Sequence, residues 1–229
     1  MRGLCFARPG DFSERNRDAD AVVPFERFVQ QQQPATQPWQ PVTDYSFEAR
    51  KAIEGIHPDL IVNVLQPSSV LDVGCGPGHL LRLLADRGVL CKGLDVAVPR
   101  GIPEDWIERW DVTTPREPGE TYIPPRWCAD VVICREVLEH LTVRGLRQAV
   151  SNLCMLSNRL IYLTTRFHPN PSHLLDVQDH DDLDPTHITL LNKDFLRLLF
   201  VLEGCRSRPD LEERMDWKQL GRCLVFEVA

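Results

Sequence analysis

From residue 69 onward the chain alternates short apolar runs with longer segments of helical spacing, and this alternation constrains the fold most. SVLDVG (69–74), VLCKGLDV (89–96), ADVVIC (129–134), RLIYLTT (159–165) and CLVFEVA (223–229) have the length and composition of buried strands. Between them, HLLRLLADRG (79–88), LRQAVSNLCML (146–156) and KDFLRLLFVLEG (193–204) repeat apolar residues at helical spacing, with Gly88 and Gly204 as stops. Strands apolar on both faces need cover on both faces. The pattern therefore predicts an α/β fold, a mostly parallel, doubly wound sheet with helices on either side.

The N-terminal part reads differently. Gln30 to Gln33 followed by Pro34, Pro38 and Pro41 cannot sustain a helix or a central strand. Residues 1–44 are expected to form a loosely ordered arm, with FERFV (25–29) as a short docking helix, and 45–229 to form the folded domain. FEARKAIEGIHPDLIVNVL (47–65) predicts two short amphipathic helices broken at Pro58. The 229 residues carry 26 Lys+Arg against 33 Asp+Glu, a net charge of −7 that argues against a large phosphate-binding face and hence against nucleic acid. No apolar run reaches the ~20 residues that span a bilayer, and the first residues lack the apolar core of a signal peptide. Eight Cys never form C-x-x-C, which points to reduced thiols and a cytoplasmic location rather than a disulfide frame or structural zinc. A monomer or homodimer is expected.

The densest chemical signal is VLDVGCGPGHL (70–80), where Gly74, Gly76 and Gly78 stand between a strand and a helix. Glycine at alternate positions permits positive φ and lets a ligand approach the backbone. In a doubly wound sheet this turn lies where nucleotides bind. The dinucleotide spacing G-x-G-x-x-G fails because Gly78 comes one position early, which disfavours a pyrophosphate-binding oxidoreductase. The phosphate loop fails because no Lys follows.

An acid, one residue, then G-x-G-x-G resembles the first motif of the class I S-adenosylmethionine-dependent methyltransferases. ADVVICREVLEHL (129–141) resembles that family's fourth motif, in the E-x-L-E-H-L form of its ubiquinone-biosynthesis O-methyltransferase-like branch. DPTHITLLNKDFLRLLFVLEGC (184–205) resembles the substrate-side segment of the same branch. The resemblance covers about residues 65–229 and implies a seven-stranded, Rossmann-like methyltransferase fold. It also implies S-adenosylmethionine as cofactor. Asp72 would hold its cationic methionyl end, beside Gly74, Cys75, Gly76 and Gly78. Asp95 and Val96, at the end of the second strand, would take the ribose hydroxyls. Asp111 and Val112 in WDVT (110–113) would meet the adenine, with Cys134 beside the cofactor, though at the end of an apolar strand this thiol reads as inert packing rather than a nucleophile.

On the acceptor side, Glu136, Glu139 and His140 stand at i, i+3 and i+4. If a helical turn follows the strand, they share one face. Two carboxylates and an imidazole suit a divalent ion such as Mg²⁺ or Mn²⁺, with His187 from the DPTH segment as a fourth ligand. The run resembles the metal cluster of small-RNA 3′-end methyltransferases. The same residues also serve without metal, Glu136 and His140 touching the cofactor and His140 or His187 acting as general base. The His- and Asp-rich stretch 166–187 would form a substrate wall. Trp110, Trp127 and Trp217 are expected to pack in the core.

These readings favour methyl transfer to an oxygen or nitrogen of a small molecule, with oxygen preferred. The alternatives are 2′-O-methylation of an RNA 3′ end, suggested by the E-x-x-E-H cluster, and a non-catalytic cofactor-binding or scaffold subunit.

Overall fold

The structure, a computed structural model, describes residues 58–98, 106–115, 127–168, 170, 175–176, 184, 186–216 and 221–229, all within the compact unit Thr43–Ala229. The expected arm and FERFV lie outside the described residues, as does the first of the two expected N-terminal helices. The described part of the second is helical, α1 (Pro58–Leu60) running into a π-helical turn at Ile61–Leu65.

A seven-stranded sheet follows. Its strands are β1 (Ser69–Val73), β2 (Leu90–Asp95), β3 (Ile107–Arg109), β4 (Ala129–Arg135), β5 (Ser157–Thr164), β8 (Arg206–Ser207) and β9 (Cys223–Glu227), in the order β3-β2-β1-β4-β5-β9-β8. The first five are mutually parallel, and β9 runs antiparallel to both β5 and β8. A separate two-stranded ribbon pairs β6 (Leu175–Asp176) with β7 (Leu190–Leu191). The sheet carries α2 (His79–Ala85), α3 (Val143–Leu156), α4 (Lys193–Leu202) and α5 (Pro209–Met215). Strands β3 and β8 and helix α5 are too short for periodicity to expose them.

Alternation along the strands explains why both faces are covered. Leu71, Val73, Val132, Ile161, Leu163, Leu224 and Phe226 face one way and pack with Leu146, Val150 and Leu153 of α3 and Leu196 and Phe200 of α4. Val70, Val131, Ile133, Leu160, Tyr162 and Val225 face the other way, toward Ile61, Leu65, Leu80 and Leu84 and, from α5, Leu211 and Met215. Phe200 and Phe226 stack with ring centroids 4.3 Å apart, so Phe200 is a central tie between α4 and the sheet.

Helix starts are set by local chemistry. Thr142 caps α3 by accepting from Gly145 N, and the Asn192 side chain accepts from Asp194 N and Phe195 N at the start of α4. Because β1, β2, β4 and β5 run in register and in parallel, their carboxyl ends share one edge of the sheet. Ligands bind at such an edge in open α/β sheets.

Candidate active site

The glycine turn leaves β1 with Gly74, Gly76 and Gly78 at φ of +77°, +52° and +73°. A Cβ on Gly74 would sit 2.2 Å from Val137 Cγ2, so this glycine lets the turn lie against the segment after β4. Leu94 O of β2 accepts from Gly74 N at 2.8 Å and from Cys75 N at 3.3 Å, which pins the turn to its neighbour strand. Asp95 completes the clamp, its Oδ2 accepting from Gly76 N (2.8 Å) and its Oδ1 from Ala97 N (2.9 Å). A carboxylate has about four lone-pair sites, so Asp95 keeps capacity for a pair of vicinal hydroxyls. Val96 lies in the same bend, half-buried.

Asp72 is 4% exposed, and burial, reinforced by Asp95 and opposed by Arg135, raises its pKa to about 7. A buried acid of this kind is ready to pair with a cationic group that replaces the lost water. The Cys75 side chain is buried among Leu81 and Ile107. Cys134 is fully buried in the core rather than on the site surface, and burial pushes its thiol pKa far up, which makes it inert packing.

Asp111 is exposed and closes a tight turn, accepting from Thr113 N (2.8 Å) and Thr113 Oγ1 (2.7 Å). The Val112 side chain is core, while its carbonyl accepts from Asn152 Nδ2 at 2.7 Å. Asn152 also donates to Thr114 O at 3.0 Å, so a buried amide on α3 fixes the whole 112–114 backbone. A lone Asn inside an apolar helical stripe is the sequence signal for this role. Trp110 and Trp127 pack as a tilted pair, centroids 5.5 Å apart, against the core, while Trp217 lies outside the described residues.

The acceptor side departs from the expected geometry. Glu136 takes φ +50° and stands outside the 3₁₀ turn Leu138–His140, so Glu136, Glu139 and His140 do not line one helical face. Glu136 is exposed and 3.7 Å from Arg222. Glu139 instead turns fully inward. Its carboxylate accepts from Thr165 Oγ1 (2.8 Å) and Arg166 N (3.3 Å), and its carbonyl accepts from Ile188 N (2.9 Å) and Thr189 N (3.1 Å). Glu139 thus sews the 3₁₀ turn both to the end of β5 and to the chain after His187. Burial, with Glu136 nearby, raises its pKa to about 8.

His140 Nδ1 lies 2.9 Å from Thr186 Oγ1 and 3.1 Å from Thr186 O. Burial and the neighbouring His187 lower the His140 pKa, which favours the neutral ring. The two imidazoles are 4.9 Å apart between centroids, and His187 Nε2 is 3.7 Å from Asp184 Oδ2. One ligand atom each from Glu139, His140 and His187 lie within 4.8 Å of one another, and Glu136 is not part of that group. Ligands at ~2.1 Å from a Mg²⁺-like ion stand ~3.0 Å apart when cis and ~4.2 Å when trans, so these three have to draw closer together to hold one. Of the His- and Asp-rich stretch, residues 169, 171–174, 177–183 and 185 lie outside the described residues.

A glycine turn at the carboxyl edge of β1, an acid at the end of β2 and a 3-2-1-4-5 parallel order with an antiparallel strand next to β5 now stand together. The methyltransferase-domain family model matches residues 23–206. The chain belongs to that family. It is a class I, S-adenosylmethionine-dependent methyltransferase. SAM-bound CalS10, an amino pentose methyltransferase from Micromonospora echinaspora, aligns with TM-score 0.54 and 17% identity, over 84% of this chain and 99% of its own. A SAM-dependent methyltransferase from Archaeoglobus fulgidus aligns with TM-score 0.51 and 16% identity, over 80% of this chain and 100% of its own. Magnesium protoporphyrin IX methyltransferase from Synechocystis PCC 6803, with bound SAM, gives 0.50 and 16% over 92% and 100%. Comparison with curated proteins finds no match. Among the described residues no helix is long and apolar enough to cross a membrane.

Proposed function

We propose that this methyltransferase acts on a hydroxyl of a small molecule, in the manner of the ubiquinone-pathway O-methyltransferases its sequence resembles. The observation that carries the reading is one buried carboxylate and two imidazoles converging at the carboxyl edge of β4 and β5, on a segment whose Val137 meets Gly74. The residues around the turn fit the cofactor: Gly74, Gly76 and Gly78 leave a cradle without Cβ atoms, and Asp72 and Asp95 supply anionic partners for a cation and for hydroxyls. Cys75, Val96 and Val112 offer backbone there, and Asp111 stands at the adenine end.

S-adenosylmethionine supplies a methyl group already activated on a sulfonium. What the protein adds is alignment of the acceptor and removal of its proton. His140, whose pKa burial depresses, takes that proton, and the His187 ring lies 4.9 Å from it between centroids. Glu139 positions both segments. The donor set supports a second use of the same residues. Glu139, His140 and His187 would hold a divalent ion such as Mg²⁺ or Mn²⁺, which would acidify the acceptor hydroxyl. We further propose residues 1–44 as an N-terminal arm, into which the family match extends as far as residue 23.

Transfer of labelled methyl from S-adenosylmethionine to a panel of hydroxyl-bearing small molecules, small amines and a short single-stranded RNA tests this reading. A hydroxyl acceptor is expected, with labelling lost in His140→Ala. Labelling confined to amines or to RNA overturns it. Repeating the assay with EDTA separates the base from the ion: metal-free turnover leaves His140 as base, and rescue by Mn²⁺ assigns the ion.

A further inference from the structure

Asp184, Thr186 and His140 form a hydrogen-bonded chain whose direction is set by chemistry alone. The Asp184 carboxylate can only accept. Its Oδ1 takes Thr186 N at 2.9 Å and Thr186 Oγ1 at 2.6 Å. The hydroxyl proton of Thr186 is thereby committed to Asp184, and Thr186 Oγ1 faces His140 Nδ1 as an acceptor at 2.9 Å. The other group on Nδ1, Thr186 O at 3.1 Å, is a carbonyl and also only accepts. Two acceptors on one ring nitrogen require that this nitrogen carry the proton.

From this geometry we infer that the Asp184–Thr186 pair locks His140 in the Nδ1–H tautomer, leaving the Nε2 lone pair as the basic atom of the site. Asp184 and Thr186 are positioning residues. Neither needs to touch acceptor or cofactor. The inference rests on the proposed role of His140 and sharpens it, because a general base or a ligand must present an unprotonated nitrogen. An imidazole in water has no such lock, and a flip of tautomer would present an N–H where a lone pair is required.

The turn that carries the lock is written into the chain. Asp followed by Pro starts a turn, and the aspartate side chain reaches the N–H two residues on. His187 N closes the same turn on Asp184 O at 3.2 Å. One four-residue segment therefore supplies His187 and, through Thr186, the orientation of His140. Glu139 anchors the far side of this segment by accepting from Ile188 N and Thr189 N, so the two imidazoles are held from both directions.

The test is the protonation pattern of the His140 ring, read by long-range ¹H–¹⁵N NMR on the full chain labelled at histidine and assigned with His140→Gln. At pH 7.5 the wild type is expected to show Nδ1 protonated and Nε2 bare. Thr186→Val keeps the carbonyl but removes the hydroxyl acceptor, and the Nδ1–H to Nε2–H ratio should fall roughly fivefold, one neutral hydrogen bond's worth. Asp184→Ala frees the hydroxyl to turn its proton toward Nδ1 and should lower the ratio at least as much. Thr186→Ser restores the hydroxyl and should restore the pattern, which a loss through loosened packing would not do. A wild-type ring protonated at Nε2, or a ratio unmoved by Thr186→Val and Asp184→Ala in protein that keeps its melting temperature, overturns the inference. A locked ring in an enzyme whose turnover survives His140→Ala upholds the lock and refutes instead the role proposed for His140.

Discussion

The two halves of the site are built by different means. On the proposed cofactor side, residues 72–78 and 93–97, the geometry is carried mostly by backbone: three left-handed glycines, amide N–H groups pinned to Leu94 O and Asp95, and parallel strands. On the proposed acceptor side, residues 136–140 and 184–189, two segments more than forty residues apart are joined by the Glu139 carbonyl and by the side chains of His140 and Thr186. Backbone geometry leaves a local and nearly continuous trace in sequence. Side-chain convergence does not, because the partners meet only after the sheet has formed.

The contrast breaks most readily at Gly74, where the halves touch through Val137. Gly74→Ala should cost about 3 to 4 kcal/mol, from positive φ plus a Cβ 2.2 Å from Val137 Cγ2. Gly88→Ala shares the backbone conformation, φ +76°, but has no atom within 4 Å, and should cost only about 1 kcal/mol in the same urea titration. Equal losses would mean that the glycine turn does not depend on its contact with the acceptor segment.

Asp72 gives the next effect. Its pKa near 7 in the folded protein exceeds the usual carboxylate value of 3.8, so between those pH values the folded state holds a proton that the unfolded chain has released. Stability is therefore gained as pH falls through that window and lost as pH rises through it, by roughly 2 to 3 kcal/mol between pH 5 and 8. Asp72→Asn should flatten this slope in denaturation midpoints taken at the two pH values. Binding of a cationic ligand at pH 6 should release a proton from the wild type and none from Asp72→Asn, as titration calorimetry in buffers of different ionisation enthalpy would show. A smaller effect is expected at Asn152→Ala, about 1 to 2 kcal/mol, for the two carbonyls at 112 and 114 left without their donor. A loss below about 0.5 kcal/mol, the size of an ordinary surface substitution, would show that segment to be held by other means.

The legibility of the fold follows the same division. The five long strands and three long helices are readable because buried strands and amphipathic helices each have a period, and SVLDVGCGPGHL places itself on strand, turn and helix from spacing alone. Strand β3 has three residues and β8 two, too few to show alternation. Glu136 leaves the face expected for it beside Glu139 and His140 because i, i+3, i+4 spacing assumes a continuous helical turn, and a left-handed residue at 136 breaks it. Cys134 follows the strand's inward register into the core, as its place at the end of an apolar run leads one to expect. Thr165 and Thr186 are common polar residues, and only their partners mark them.

The central claim is that the backbone-built half binds the cofactor and the side-chain half acts on the acceptor. Affinity for S-adenosylhomocysteine in wild type, Asp95→Ala and His140→Ala tests it most directly, with NAD as a control ligand. Asp95→Ala should weaken binding roughly 10- to 100-fold, the loss of one charge-assisted hydrogen bond, while His140→Ala stays close to wild type and NAD does not bind. Unchanged affinity in Asp95→Ala, or a loss in His140→Ala as large as that in Asp95→Ala, would contradict the division.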